Sequence, residues 1–153
     1  MANDKNSILE RNTRILSSWP TFWKGNTEAL TKLYHPTKGT LVDHAFNVTR
    51  IGHSTVSQHC NLWLAANPDF EAEAIHVQST IEGGWLQYRG KGTFKNDLAG
   101  IYPATGKEFV FEAVLRAWIN EEGLIMRSEE WYTRTFGECV EVDKYDSRGD
   151  GQA

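Results

Sequence analysis

Residues 109–119, FVFEAVLRAWI, constrain the fold of this 153-residue chain more than any other stretch. Phe109, Phe111, Ala113, Leu115, Ala117 and Ile119 occupy every odd position, and the even positions include Glu112 and Arg116. A sustained period of two marks a strand with one face in a core and the other toward solvent. Such a strand needs partners. Residues 70–82, 85–95 and 124–136 are rich in β-branched and aromatic side chains, and Gly-Gly, Ala-Thr-Gly-Lys and Glu-Glu-Gly turns separate the segments. A long antiparallel meander is the expectation.

The preceding part of the chain has helical spacing. Ile8, Ile15, Leu16 and Trp19 recur at helical intervals behind a cap at Asn6 or Ser7, and Pro20 predicts a break near residues 18–20. Thr27 caps a short second helix carrying Leu30, Leu33 and Tyr34, which Pro36 ends. Residues 41–48 read as a first strand. Residues 54–66 read as a third helix presenting Val56, Cys60, Trp63 and Leu64 on one face. Helices, one early strand, a helix and then the meander give an α+β fold, with about three helices on one face of a curved antiparallel sheet. Residues 1–142 form one domain in this reading, and the polar residues 143–153 a loose tail.

Alternation also assigns an inside to the sheet. A tight turn at Glu121-Glu122 pairs Ile119 with Leu124, Leu115 with Ser128 and Ala113 with Glu130. Leu124, Met126, Ser128, Glu130 and Tyr132 then point inward, and Ile125, Arg127, Glu129 and Trp131 outward; a shift of one residue exchanges the sets. Glu130 becomes a carboxylate on an apolar wall, where burial raises its pKa toward the range of a neutral-pH acid or base. A rim position or a structural cation would make it ordinary. On residues 85–95 the inward set is Leu86, Tyr88, Gly90, Gly92 and Phe94. Tyr88 offers a phenol to a ligand or to backbone, and the two glycines suit either open volume or strand curvature.

Composition removes several classes of function. Sixteen Lys and Arg against twenty Asp and Glu give a net charge of -4, unlike a nucleic-acid-binding surface. The two cysteines have no metal-like spacing, the N-terminus has no apolar leader core, and no run reaches membrane-spanning length. A cytoplasmic protein without membrane or nucleic-acid partners is the expectation. The five histidines lack HxH and HExxH spacing, so no metal is expected; ATGK at 104–107 is a turn rather than a phosphate loop, and no GxSxG elbow occurs. His44 is a candidate proton shuttle on the first strand, in line with Val42 and Phe46, or a half-buried histidine bonded to backbone. His35, His53 and His59 read as surface residues. Aromatic residues make up 12% of the chain, enough to line a cavity or to over-build a core.

GNTEALTKLYHP, Asp43-His44 on a strand, Pro68-Asp69-Phe70 after a helix, GKGT at 90–93, PATGK at 103–107 and EEGLIMRSEEWY at 121–132 together resemble the SnoaL-like polyketide cyclases. These are part of the superfamily of nuclear transport factor two, ketosteroid isomerase and limonene epoxide hydrolase. The resemblance covers roughly residues 8–136. It implies a cone-shaped sheet around an apolar cavity, a dimer, no cofactor, and acid–base chemistry on a hydrophobic polycyclic polyketide- or terpenoid-like substrate. The family's closing Glu corresponds to Glu130; its final Asp is Thr133 here, and Phe94 stands where many members carry His.

The expected catalytic set is Glu130, His44 and Tyr88. Tyr132, Phe46, Trp63, Phe94, Tyr102, Trp23 and Phe111 are expected at the substrate, with Trp19 a further wall candidate. Arg50 either anchors a substrate carboxylate or stays solvated. Trp85, Trp118 and Trp131 fall on the outer face, where a second subunit could cover them. A non-catalytic binding or assembly module is the alternative. An epoxide or enol-ether hydrolase is a third reading, and it would need a second inward carboxylate and an Arg.

Overall fold

The computed structural model describes residues 2–133; the expected tail, Cys139 and the end of the last expected strand lie outside them. Helix α1 (Ala2–Thr21) starts before the expected cap and carries Pro20 in its final turn rather than breaking there. A proline so close to the end forfeits only a terminal hydrogen bond. Helix α2 (Thr27–Lys32) is capped by Asn26, whose side chain accepts from the Ala29 N–H, one residue earlier than expected.

The segment expected to be one strand is a hairpin, β1 (Thr40–Asp43) and β2 (Val48–Ile51). Asp43 Oδ1 accepts the Phe46 N–H at 3.1 Å and Asn47 adopts a φ of 54°, so the chain reverses at residues 44–47. Helix α3 (His53–Ala66) follows. Strands β3 (Glu71–Thr80), β4 (Gly83–Thr93), β5 (Glu108–Ile119) and β6 (Ile125–Tyr132) form the meander. The sheet runs β2-β1-β6-β5-β4-β3. It is mixed: β1 lies parallel to β6 and the other neighbours are antiparallel.

The inward residues of β5 are all buried, as alternation requires. The register of β6 differs from the expectation by two residues. Ala117 faces Ser128, Leu115 faces Glu130 and Ala113 faces Tyr132. A turn closed by Asn120 N–H to the Leu124 carbonyl and an irregularity between Trp118 and Ile119 absorb the extra chain. A slip of two keeps every side chain on its face, so Ser128 and Glu130 are still buried and Trp131 still exposed. Ile125, expected outside, is fully buried because it precedes the bulge.

Helix α1 packs across β3 and β4 with Leu16 and Trp19 in the core. Gly90 and Gly92 do not open a void. A Cβ at Gly90 would meet the Phe111 ring at 2.8 Å and Phe70 at 2.9 Å, because the rings of Phe70, Phe109 and Phe111 stack over these glycines. Among the described residues, no helix is long and apolar enough to cross a membrane.

Candidate active site

The parallel pairing of β1 with β6 sets Asp43 directly opposite Glu130. Both point into the cone and are nearly sealed from solvent, with Asp43 1% and Glu130 4% exposed. Tyr88 reaches in from β4 across β5, where its cross-strand partner is the small Ala113, and its Oη donates to Glu130 Oε2 at 2.6 Å. Tyr132, one residue pair further along β6, donates from Oη to Asp43 Oδ2 at 2.8 Å. Each carboxylate thus has its own phenol. From α3, His59 brings Nε2 to 4.0 Å from Asp43 Oδ2.

Electrostatics divide these groups. Burial, then the neighbouring Asp43 carboxylate, pushes Glu130 from the usual 4.5 up to about 8, against the opposing hydrogen bond from Tyr88. Asp43 is also raised by burial, but the Tyr132 hydroxyl and the N–H groups of Phe46 and Ala45 stabilise its ionised form. Two carboxylates so close do not both ionise readily at neutral pH. Burial raises both, and Glu130, pushed to about 8, is the readier of the pair to hold a proton at neutral pH. Burial, then the Arg50 guanidinium, lowers His59 to about 4. Its imidazole is neutral at pH 7, and its approach to Asp43 is a polar contact rather than an ion pair. The Tyr88 hydroxyl is held well above its ordinary pKa, first by burial and then by Glu130, so it acts as a donor.

These groups end a cavity of about 110 Å³. Trp23, Phe46, Trp63, Tyr102 and Phe111 line it as expected, as do Arg50 and Tyr132. Three expectations are corrected. Phe94 is fully buried in the core and does not line the cavity. Trp19 packs behind Tyr88 at a ring separation of 5.3 Å and donates to Tyr34 Oη. His44 lies beyond the end of β1, outside the cavity, where Nε2 is 2.9 Å from Glu129 Oε1 and the ring stacks on Trp131 at 4.7 Å. β1 turns its odd residues Leu41 and Asp43 inward, so alternation sends His44 to the outer face beside Glu129 and Trp131.

Asp43, His59 and Phe70 line the cavity without having been expected there. His59 had a readable signal, since with Val56, Cys60 and Trp63 it completes the i, i+3, i+4, i+7 face of α3. Asp43, His59 and Glu130 each offer a donor atom within 4.8 Å of the others, so this is where a divalent cation could be held.

No protein-family profile matches the chain, and no curated protein matches its sequence. Its structure is similar to a phenazine biosynthesis-related protein of Pseudomonas aeruginosa, with a TM-score of 0.74 at 16% identity over 90% of this chain and 88% of that one. A protein of Catenulispora acidiphila with a ketosteroid isomerase-like fold, solved with trimethylamine, gives 0.68 at 20% identity over 80% and 87%. A candidate SnoaL-like polyketide cyclase of a Jannaschia species gives 0.70 at 13% identity over 82% and 87%. The chain therefore has the ketosteroid isomerase-like fold that the SnoaL-like resemblance implied. At these identities the likeness is one of fold.

Proposed function

We propose that this protein is a cofactor-independent acid–base enzyme, an isomerase or cyclase acting on a hydrophobic ring-containing natural-product intermediate of polyketide or terpenoid type. One observation carries the reading: two buried carboxylates, Asp43 and Glu130, face each other at the end of an aromatic-lined cavity, where burial raises the pKa of both. The ionised Asp43 is placed to take a proton from a carbon next to a carbonyl. Glu130 and Tyr88 are placed to donate to the oxygen that becomes negative and to return a proton at the new position. The apolar walls exclude water and strengthen each of these interactions. Structures of similar fold that are named candidate polyketide cyclases support the substrate class.

The test uses exchange chemistry. In deuterated buffer the protein should catalyse exchange of the α-protons of a ring ketone such as 1-tetralone, read by proton NMR. Glu130→Gln should lower that rate about a hundredfold or more while the fold is kept. Undiminished exchange by the variant would remove Glu130 from the mechanism.

Asp43 supplies the second inward carboxylate, and Arg50 the guanidinium, that the hydrolase reading needed. In that reading the carboxylates activate a water against an epoxide or enol ether. Incorporation of labelled water oxygen into product distinguishes hydrolysis from isomerisation. We also expect a homodimer formed through the outer sheet face.

A further inference from the structure

We propose that the substrate carries one carboxylate besides its reacting group, and that Arg50 binds it. This deepens the reading above, because it names the ligand class of the same cavity, and it rests on that reading for the reacting end alone.

Arg50 sits on β2, the edge strand, and its side chain lines the cavity. Among the described residues that side chain makes no hydrogen bond and no ion pair, and its Nε is buried without a partner. A guanidinium stays protonated throughout the accessible pH range and presents a planar fork of donors. Arg50 is half-buried, and sealing its Nε–H from water with no acceptor is unfavourable unless a ligand supplies one. Asp43 and Glu130 do not fill that role, since their short contacts are with the two tyrosines and, for Asp43, with backbone N–H groups and His59.

The charge of the cavity selects the anion. Among the described residues lining it, Arg50 is the one permanent cation; no lysine is present, and His59 is neutral at pH 7. A monoanion with two oxygens in one plane matches a single guanidinium in charge and geometry. A phosphate monoester would bring a second negative charge toward Asp43 with no cation to meet it.

Register fixes where that group sits. Arg50 faces Leu41 on β1, whereas Asp43 faces Val48 and Glu130. The Arg50 backbone is therefore two residues along and two strands across from Glu130, about 7 Å and about 10 Å at ordinary sheet spacings. The recognised carboxylate is thus a substituent held away from the reacting centre. Phe46 and Trp63 line the same cavity, their rings 6.3 Å apart edge to face, which suits a ligand whose ring joins the two ends.

The experiment compares binding of benzoate and cyclohexanecarboxylate with benzamide and phenyl phosphate. Titration calorimetry is run in parallel with quenching of the Trp23 and Trp63 fluorescence. The carboxylates should bind at least about tenfold more tightly than either comparison. Arg50→Gln should erase that preference and Arg50→Lys should keep part of it, with circular dichroism confirming that both variants fold. Equal binding of acid and amide, tighter binding of phenyl phosphate, a preference that survives Arg50→Gln, or no carboxylate binding at millimolar concentration would each overturn the proposal. Glu130→Gln separates the two readings: it should leave carboxylate binding intact whether or not Glu130 moves the proton.

Discussion

Glu130 is buried far enough to be neutral at a pH where an ordinary glutamate is charged, and that neutrality leaves a trace in stability. In the unfolded chain it ionises near 4.5, whereas in the folded protein it ionises near 8. A raised carboxyl pKa leaves stability intact below the unfolded value and removes it as pH rises toward the folded one. His59 works in the opposite direction. Its folded pKa of about 4 lies below the usual 6.5, so its contribution is complete above 6.5 and falls away in more acid solution. The two trends oppose each other from about pH 4.5 to 6.5, and from 6.5 to 8 Glu130 acts alone. At about 1.4 kcal/mol per pH unit the loss over that upper window is on the order of 2 kcal/mol. Calorimetric melting should fall by several degrees between pH 6.5 and 8 in the native protein and stay level in Glu130→Gln. A level native profile would mean that Glu130 is ionised in the fold. Tyr88→Phe makes a second prediction at this scale. Its hydrogen bond lowers the Glu130 pKa, so its removal should shift the corresponding limb of the pH–rate profile upward and reduce turnover about tenfold to a hundredfold. An unmoved limb would show that the phenol does not act on Glu130. Glu130 itself was legible from the chain, because a period of two defines an inside without requiring the correct register. Asp43 was not legible, because the even residues 42, 44 and 46 line up as readily as 41 and 43, and the distant pairing with β6 that turns Leu41 and Asp43 inward has no local signal.

The elements show the same contrast between local and distant determinants. β3 to β6 were readable from their β-rich composition and turn residues, and the slip of two along β6 left Ser128, Glu130 and Trp131 on their expected faces, with Ile125, before the bulge, the exception. The β1–β2 hairpin was not readable, since the reversal at 44–47 hangs on one Asp side chain and a left-handed Asn47 rather than on a Gly or Pro signal. The parallel β1·β6 ladder joins strands far apart in the chain, and no local pattern encodes such a pairing. It is this ladder that brings the two carboxylates together. The glycines of β4 were visible as an anomaly, but their purpose was set by Phe70 from before β3 and Phe111 from β5. Gly90→Ala puts a methyl group 2.8 Å from the Phe111 ring and should destabilise the fold by about 1–3 kcal/mol in urea unfolding. Gly100, whose Cβ position meets nothing within 4 Å but whose φ is +69°, is the control for backbone strain without crowding. If Gly90→Ala cost less than Gly100→Ala, ring packing would not be the constraint at β4.

At the scale of the molecule, the sheet has a concave face that closes on the core and the cavity, and an outer face on which the described residues leave an apolar patch exposed. Outside, Trp85 is 44% and Trp131 42% exposed, and their rings stack at 6.4 Å beside the exposed Val114. Arg116 lies over the Trp85 ring, and His44 covers the other side of Trp131. Two adjacent tryptophans, each with large apolar area in water, favour burial against a like surface, and a two-fold axis through the sheet would let one patch cover its copy. Trp131→Glu places a charge at the centre of that patch. It should move the sedimentation coefficient from that of two chains to that of one. The cavity is lined entirely within one chain among the described residues, so the monomeric variant should keep its ligand binding. A native protein that sediments as one chain would rule out self-association through this face. A monomeric variant that lost binding would instead tie the shape of the cavity to the pairing of subunits, with the tilt of β6 as the connection, since Glu130 and Trp131 are consecutive residues on opposite faces of that strand.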